Sequence, residues 1–232
     1  PYFYNMDNET IERRKNIYVI IGCEESQEIC KAFRKLGFSA FSCDTEECSG
    51  GHPEWHLQMD IFEALKLHKW TMGIFHPPCT FLTTTGNRWM FHPDDKGKTT
   101  KRPHPKFPNR MEQVEQSVKF FMNLINVDIK HVVVENPRGI MTTRYRKPDQ
   151  YIHPFQFGEP YQKLTGLWLK NIPLLVPTNI VSPKQAPKGT DNALWYETLL
   201  LPPKERTKAR SKTFSGIANA MAEQWSIVID PT

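Results

Sequence analysis

The fold is decided by the stretch Ile17-Tyr18-Val19-Ile20-Ile21-Gly22. Its apolar run is typical of a buried strand, and the glycine ends the run where the chain must turn. A helix is predicted next, from about Ser26 to Leu36, with Ile29 and Phe33 on its buried face. A second strand over 38–43 follows this helix. The order strand, helix, strand predicts an α/β fold with a parallel sheet.

Later segments repeat this alternation. The pattern predicts a short helix over 60–68, a strand over 70–75, a strong helix over 111–126 and a strand over 131–134. We therefore predict a Rossmann-like α/β domain over 17–150. Residues 1–16 are expected to form a tail. The pattern also predicts a small irregular β subdomain over 151–203, with strand pieces over 167–169 and 174–176, and a returning segment over 204–232, with a helix over 215–225 and a strand over 227–229.

Composition narrows the class of protein. The 232 residues suffice for one domain that carries a small subdomain. No run approaches the ~18–20 apolar residues that cross a bilayer, and the first residues lack a basic stretch followed by an apolar one. We therefore expect a cytoplasmic protein without membrane contact. The five cysteines are an odd number, all in the first third of the chain, which favours reduced thiols over a disulfide framework.

A thiol and a carboxylate end two of the predicted strands. Cys79 closes Phe75-His76-Pro77-Pro78-Cys79, and Glu135 follows the run over 132–134. The carboxyl ends of neighbouring strands face one crevice in an α/β sheet. A thiolate can attack an electron-poor carbon while a carboxyl group holds and protonates a ring nitrogen, which suits addition to a pyrimidine. This pattern indicates an enzyme, although a cysteine alone is more often an inert small hydrophobe.

The motifs Pro78-Cys79 and Glu135-Asn136-Pro137 resemble those of the cytosine-carbon-5 DNA methyltransferases, in particular the compact phage-type branch, over about 17–230. The resemblance implies a methyltransferase sheet, S-adenosylmethionine as cofactor and DNA as partner, in a bacterial or phage-infected cell. It also implies that Cys79 attacks carbon 6 of a flipped cytosine while Glu135 contacts ring nitrogen 3, so that carbon 5 accepts a methyl group. Arg144 and Arg146 resemble the family's basic pair near the flipped base and would raise the thiolate fraction.

The same resemblance implies a set of cofactor contacts. Gly22 would let the backbone approach the methionine part, and Glu24 would meet its ammonium. Asp44 would accept hydrogen bonds from ribose hydroxyls, although Asp44 and Asp60 would also serve as helix caps. The implied cofactor residues are Gly22, Glu24, Asp44, Asp60, Ile61, His76, Pro77 and Asn219, of which Asp60-Ile61 would bracket adenine and Asn219 resembles a late Gly-Asn motif.

The insertion over 80–109 shows no regular pattern. A loop of this length in a compact domain is often a functional lid or binding loop. It mixes cations with aromatic residues, which suits contacts to phosphates and bases. A solvated surface is the alternative, since most charge runs are solvated. The predicted DNA-binding residues are Arg88, Lys98, Lys101, Arg102 and Lys106.

A possible zinc pattern lies between the second strand and the helix over 60–68. Cys43, Cys48, His52 and His56 have C-x4-C-x3-H-x3-H spacing, which is close to that of zinc ligands. Ordinary core packing explains Cys43 and His56 equally well. We therefore predict no metal.

Other functions stay open at this stage. The run His76-Pro77-Pro78-Cys79 also resembles the Asp/Asn-Pro-Pro-aromatic motif of methyltransferases that act on exocyclic amines. The single glycine after the first strand is also consistent with an inactive DNA-binding module that has lost its cofactor. RNA or a free nucleotide is an alternative substrate. In the leading interpretation, residues 151–203 supply target recognition.

Overall fold

The computed structural model describes residues 7–189 and 192–231, apart from the side chains of residues 85, 87 and 88. Within them the strands are β1 Tyr18–Gly22, β2 Ser39–Asp44, β3 His56–Gln58, β4 Met72–Phe75, β5 His131–Pro137, β6 Gln150–Ile152 and β7 Thr165–Lys170. They form one sheet of order β3-β2-β1-β4-β5-β7-β6. Strands β1 to β5 are parallel, whereas β7 runs antiparallel to both β5 and β6. The predicted Rossmann-like α/β sheet is confirmed.

Helices cover both faces of this sheet. In the described part of the chain they are α1 Asn8–Arg14, α2 Glu28–Lys35, α3 Ile61–Ala64, α4 Arg110–Ile125, α5 Met141–Arg144, α6 Ala193–Glu197, α7 Pro203–Ser211 and α8 Ser215–Ile229. Val19 and Ile21 of β1 pack on the side of α2 and α8, and Ile20 packs on the side of α3 and α4. Because the sheet is buried on both faces, its central strands are continuously apolar.

The strand order indicates where a ligand crevice lies. It reverses between β1 and β4, and ligands of such sheets bind outside the carboxyl ends of the strands at this reversal. Gly22 ends β1 beside Phe75, which ends β4. The residues that follow Gly22 and Phe75 therefore border the crevice.

The tail expected over 1–16 is wrong for residues 8–14, which form α1. Asp7 caps this helix by accepting a hydrogen bond from the Thr10 amide at 2.7 Å. Arg13 and Arg14 bind the buried Asp230 at 2.6 and 2.7 Å. The cap and these ion pairs to the far end of the chain stabilise a segment whose own sequence shows no helical periodicity.

The strand expected over 227–229 is also wrong, because these residues are the last turn of α8. Met221, Trp225 and Ile229 recur every four residues and are buried, whereas Ile227 is 70% exposed. This spacing is that of one face of a helix.

The segment over 151–203 forms no separate sheet among its described residues. Strand β7, and β6 at the segment's start, pair within the main sheet. The strand expected over 174–176 is absent, because the side chain of Gln224 hydrogen-bonds both the amide and the carbonyl of Val176 at 2.8 Å. The insertion over 80–109 contains two short 3-10 helices, Thr84–Trp89 and Pro93–Asp95.

Two further features bear on the predictions from composition. Across 7–189 and 192–231, no helix is both long and apolar enough to cross a membrane. All five cysteines are free thiols, with Cys30 and Cys43 buried and Cys79 exposed.

Candidate active site

Cys79 and Glu135 emerge from neighbouring strands at one edge of the sheet. In the parallel register of β4 and β5, Phe75 lies opposite Val134. The segments that follow are joined, since the side-chain amide of Asn136 donates to the Pro77 carbonyl at 2.8 Å. The structure thus brings together Cys79 and Glu135, two of the four catalytic residues expected from the sequence.

His76 lies directly beside the Glu135 carboxylate. Its Nδ1 is 3.0 Å from Oε2 of Glu135, and the two side chains are only 12% and 18% exposed. The His76 backbone amide donates to the carbonyl of Gly22 at 2.9 Å, which fixes the residue between β1 and β4. Although expected to contact the cofactor, His76 therefore pairs with the expected catalytic carboxylate.

Glu135 is held in its ionised form. Burial alone raises the pKa of this carboxyl, but the hydrogen bond and positive charge of His76, the charge of Lys163 and the nearby Thr165 hydroxyl together lower the pKa below its ordinary value. Glu135 is therefore an acceptor before any substrate binds.

The pKa of Cys79 is shifted in the opposite direction, upward. Although Cys79 is an exposed residue, the surrounding protein shields its thiol in part from water; this desolvation has the largest effect and raises its pKa, the negative charge of Glu135 raises it further, and the positive charge of Lys163 lowers it only in part. The free protein therefore carries Cys79 mainly as a thiol at neutral pH. Nucleophilic attack requires the loss of its proton.

Lys163 is the cation that the sequence analysis missed. It acts on both Cys79 and Glu135, and its ammonium lies 6.0 Å from the ring centre of Phe214. Thr165 begins β7 opposite Pro137, so the antiparallel pairing brings the residues before β7 to the end of β5. A Lys-x-Thr leading into an apolar strand was the available signal, but it has meaning only once the partner strand is known.

Arg144 and Arg146 are placed elsewhere. Arg144 forms an exposed ion pair with Glu115, with Nη1 to Oε1 at 2.7 Å. Arg146 binds Asp149 at 2.8 Å. The structure does not bring either arginine into a described contact with Cys79 or Glu135, and Lys163 occupies the electrostatic role expected of them.

Gly22 and Ile61 lie together at the end of β1. A Cβ on Gly22 would come within 2.7 Å of both Ile61 Cδ1 and Phe75 Cδ1, so the absence of a side chain lets Ile61 pack against the end of the strand. Pro77, also expected at the cofactor, is buried and its carbonyl accepts the Asn136 bond.

Asp44 and Asp60 flank the same edge. Asp60 caps α3 by accepting from the Phe62 amide at 2.8 Å, and Asp44 accepts from the Glu46 amide at 3.0 Å in a turn. Burial raises the pKa of the nearby Cys23 thiol, and both carboxylates raise it further. The two acids and Cys23 thus form one polar cluster beside Gly22.

Glu24 and Asn219, both expected at the cofactor, have other places in the structure. The buried carboxylate of Glu24 accepts the amides of Ile29 at 2.9 Å and Cys30 at 3.4 Å, so it caps α2. Burial raises its pKa, and the charge of His76 opposes this rise. Asn219 is exposed on α8 and lines a pocket of about 160 Å³ against α2, and Cys79 is not among the residues that line this pocket.

Two of the five predicted DNA-binding residues stabilise the basic loop over 91–107. The buried Asp95 binds Arg102 through Nη2 at 2.8 Å and Nε at 2.9 Å, and Lys98 at 2.8 Å. These hydrogen bonds hold the pKa of Asp95 well below its ordinary value. Lys101 lies over the ring of Phe91 at 4.8 Å, and Lys106 is exposed. The side chain of Arg88 lies outside the described residues.

The zinc-like spacing belongs to side chains with other partners. Cys43 is buried in the core, and His56 lies between Ser42 and the Glu46 carbonyl, at 2.9 Å from each. His52 stacks on Trp55 with ring centres 3.8 Å apart. No group of three or more potential ligands among His, Cys, Asp and Glu is arranged around a metal position in the described structure.

Comparisons with known proteins add a distant structural likeness. No protein-family model matches the chain, and no curated protein matches it. Among solved structures, the chain is similar to a prophage-encoded E. coli protein provisionally named a DNA modification methyltransferase. The identity is 14% and the TM-score is 0.43, and the match covers 72% of this chain and 52% of that one. The chain thus spans about half the length of the protein it matches.

Proposed function

We propose that this protein is a DNA cytosine-5 methyltransferase in which Cys79 attacks carbon 6 of an extruded cytosine. The observation that carries the proposal is the grouping of Cys79, the ionised Glu135 and the cationic Lys163 at the carboxyl ends of β4, β5 and the start of β7. A nucleophile beside a carboxylate that can hold a ring edge suits conjugate addition to a pyrimidine.

The proposed chemistry starts from the thiol. Cys79 loses its proton as the Sγ–C6 bond forms, and the electrons of the C5–C6 double bond shift toward ring nitrogen 3, which takes up a proton. Lys163 stabilises the developing thiolate, while Glu135 holds the amino group and nitrogen 3. Carbon 5 is then nucleophilic. After its substitution, loss of the carbon-5 proton restores the double bond and expels Cys79.

The cluster beside Gly22 fits S-adenosylmethionine. Asp44 and Asp60 supply carboxylates for hydroxyl and ammonium groups, and they border the strand reversal at which such ligands bind. When bound, the cofactor supplies an electrophilic methyl group. Asp44 would hold the ribose hydroxyls, with Gly22 and Ile61 forming the adjoining wall. Glu24 is already bound to the amides of α2, so the proposal does not assign it to the cofactor.

A second candidate rests on Asn136. This amide is 1% exposed, and its Oδ1 has no hydrogen-bond partner in the described structure. Because it adjoins Pro77-Pro78, it could accept from an exocyclic amine. The second candidate is therefore methylation of an exocyclic amine without a covalent adduct.

Nucleoside analysis of the product separates the two candidates. Duplex DNA of mixed sequence is incubated with the protein and S-adenosylmethionine, digested, and measured by mass spectrometry. The proposed function predicts 5-methylcytosine from the wild type and none from Cys79→Ser. Methylation on an exocyclic nitrogen that survives Cys79→Ser would instead establish the second candidate.

A further inference from the structure

His76 and Glu135 have complementary hydrogen-bonding states. Because the pKa of Glu135 is lowered, its carboxylate accepts and does not donate. The atom 3.0 Å away, His76 Nδ1, must therefore carry a proton. This assignment fixes one end of the imidazole ring.

The surroundings of the ring suit a positive charge. Glu135 of β5 binds one side, and the buried Glu24 of the β1–α2 connection acts on the ring electrostatically. Of these two acidic residues, Glu135 is the one that hydrogen-bonds the ring directly. Cys79 and Lys163 are further ionisable groups that act on Glu135 or are acted on by it. The Nε2 of His76 is buried and has no hydrogen-bond partner among the described residues.

The proposed reaction needs a proton that Glu135 does not hold. Attack by Cys79 makes ring nitrogen 3 strongly basic, yet an ionised carboxylate has no proton to give. Among the described hydrogen bonds, the side-chain N–H that faces this carboxylate most closely is His76 Nδ1–H.

We propose that His76 is a positioning residue that supplies, through Glu135, the proton taken up by cytosine nitrogen 3. This inference rests on the proposed function. As the Sγ–C6 bond forms, Nδ1–H passes to Oε2 of Glu135, and the resulting carboxyl group protonates nitrogen 3. The imidazolium becomes a neutral imidazole, and the thiol proton of Cys79 leaves to solvent. When the adduct collapses, the nitrogen-3 proton returns to His76 by the same route.

The test uses His76→Asn, because the side-chain amide of asparagine can reproduce the Nδ1 hydrogen bond but cannot act as an acid. The readout is exchange of the cytosine carbon-5 hydrogen with D2O in duplex DNA without cofactor, followed across pH. We expect His76→Asn to slow exchange by at least about 100-fold, with unchanged DNA affinity, and to remove one limb of the pH profile. Exchange and a pH profile equal to those of the wild type would overturn the inference while leaving the proposed function intact.

Two further measurements separate the possible failures. An inert wild-type protein, with neither exchange nor a covalent adduct, would overturn the proposed function and this inference with it. Nitrogen-15 NMR of the His76 ring in the free protein tests the pair itself. We expect both Nδ1 and Nε2 to be protonated, because only then does loss of the Nδ1 proton leave a neutral imidazole. A neutral ring, protonated at either nitrogen alone, would overturn the inference even in an active enzyme.

Discussion

The Glu135 carboxylate raises the pKa of the Cys79 thiol, while Lys163 acts in the opposite direction. Replacement of Glu135 by Gln should therefore lower the pKa of Cys79 and speed its alkylation by iodoacetamide at pH 7.5 by about threefold or more, since tenfold corresponds to one pKa unit. The rate is measured by peptide mass spectrometry at Cys79. An unchanged or slower rate in Glu135→Gln would contradict the arrangement.

Lys163→Met should have the reverse effect on the same reaction. Loss of the ammonium raises the pKa of Cys79 further, so alkylation at pH 7.5 becomes slower by about threefold. Lys147→Met, at an exposed lysine, is the matched control and should leave the rate unchanged. Equal alkylation rates in the two variants would show that Lys163 does not act on the pKa of Cys79.

The basic loop should depend on Asp95. Asp95→Asn removes the charge that binds Arg102 and Lys98, so trypsin should cut between Lys96 and Lys106 several-fold faster. The neighbouring Asp94 side chain is 76% exposed, and Asp94→Asn serves as the control. Equal cleavage of both variants would show that Asp95 does not order the loop.

The exposed cations of that loop should bind phosphates. Lys101 and Lys106 do not bind Asp95, so their joint replacement by Gln should weaken DNA binding without unfolding the loop. The slope of log K against log salt should fall in magnitude by about 1.8, because each phosphate contact contributes about 0.9. The control is Lys15→Gln with Lys35→Gln, which makes the same change of charge near the start of β2 and the end of α2. A slope reduced equally by the control would reject the prediction.

The ion pairs that join Arg13 and Arg14 of α1 to Asp230 should contribute to the free energy of unfolding. Asp230→Asn should cost about 1–2 kcal/mol in urea denaturation at pH 7, a discounted value because Arg13 is 40% exposed. The hydrogen bond from Arg13 lowers the folded pKa of Asp230, so this stabilisation is complete above the unfolded pKa of about 3.9 and is lost as pH falls through the folded value. Asp128→Asn, at an exposed residue, should cost almost nothing.

The sequence predicts well where local pattern decides structure. The apolar runs of β1, β4 and β5 and the periodicity of α4 suffice for the parallel core and for the meeting of Cys79 with Glu135. Prediction from the sequence fails where contacts with residues far along the chain determine the local structure. Asp230 stabilises α1 from the other end of the chain, and Gln224 satisfies the backbone near 176.

The candidate site shows the same division. Cys79 and Glu135 follow predictable parallel strands. Lys163 precedes β7, whose apolar residues over 167–169 predict a strand but whose antiparallel pairing with β5 no local pattern predicts. The expected role of Arg144 and Arg146 depended on the resemblance of this Arg-x-Arg to a family motif, and Glu115 and Asp149 bind the two arginines instead. The contact between His76 and Glu135 is not predictable from the sequence, since neither spacing nor motif shows which carboxylate a side chain will face.

The most direct test of the central claim is mass spectrometry of the intact protein after incubation with S-adenosylmethionine and duplex DNA that carries 5-fluorocytosine in varied sequence contexts. Fluorine cannot leave carbon 5 as a proton does, so an attacked base stays attached. The account predicts a covalent complex in the wild type, mapped to Cys79 and absent from Cys79→Ser. No complex in any context, from protein that still transfers methyl groups to DNA, would contradict it.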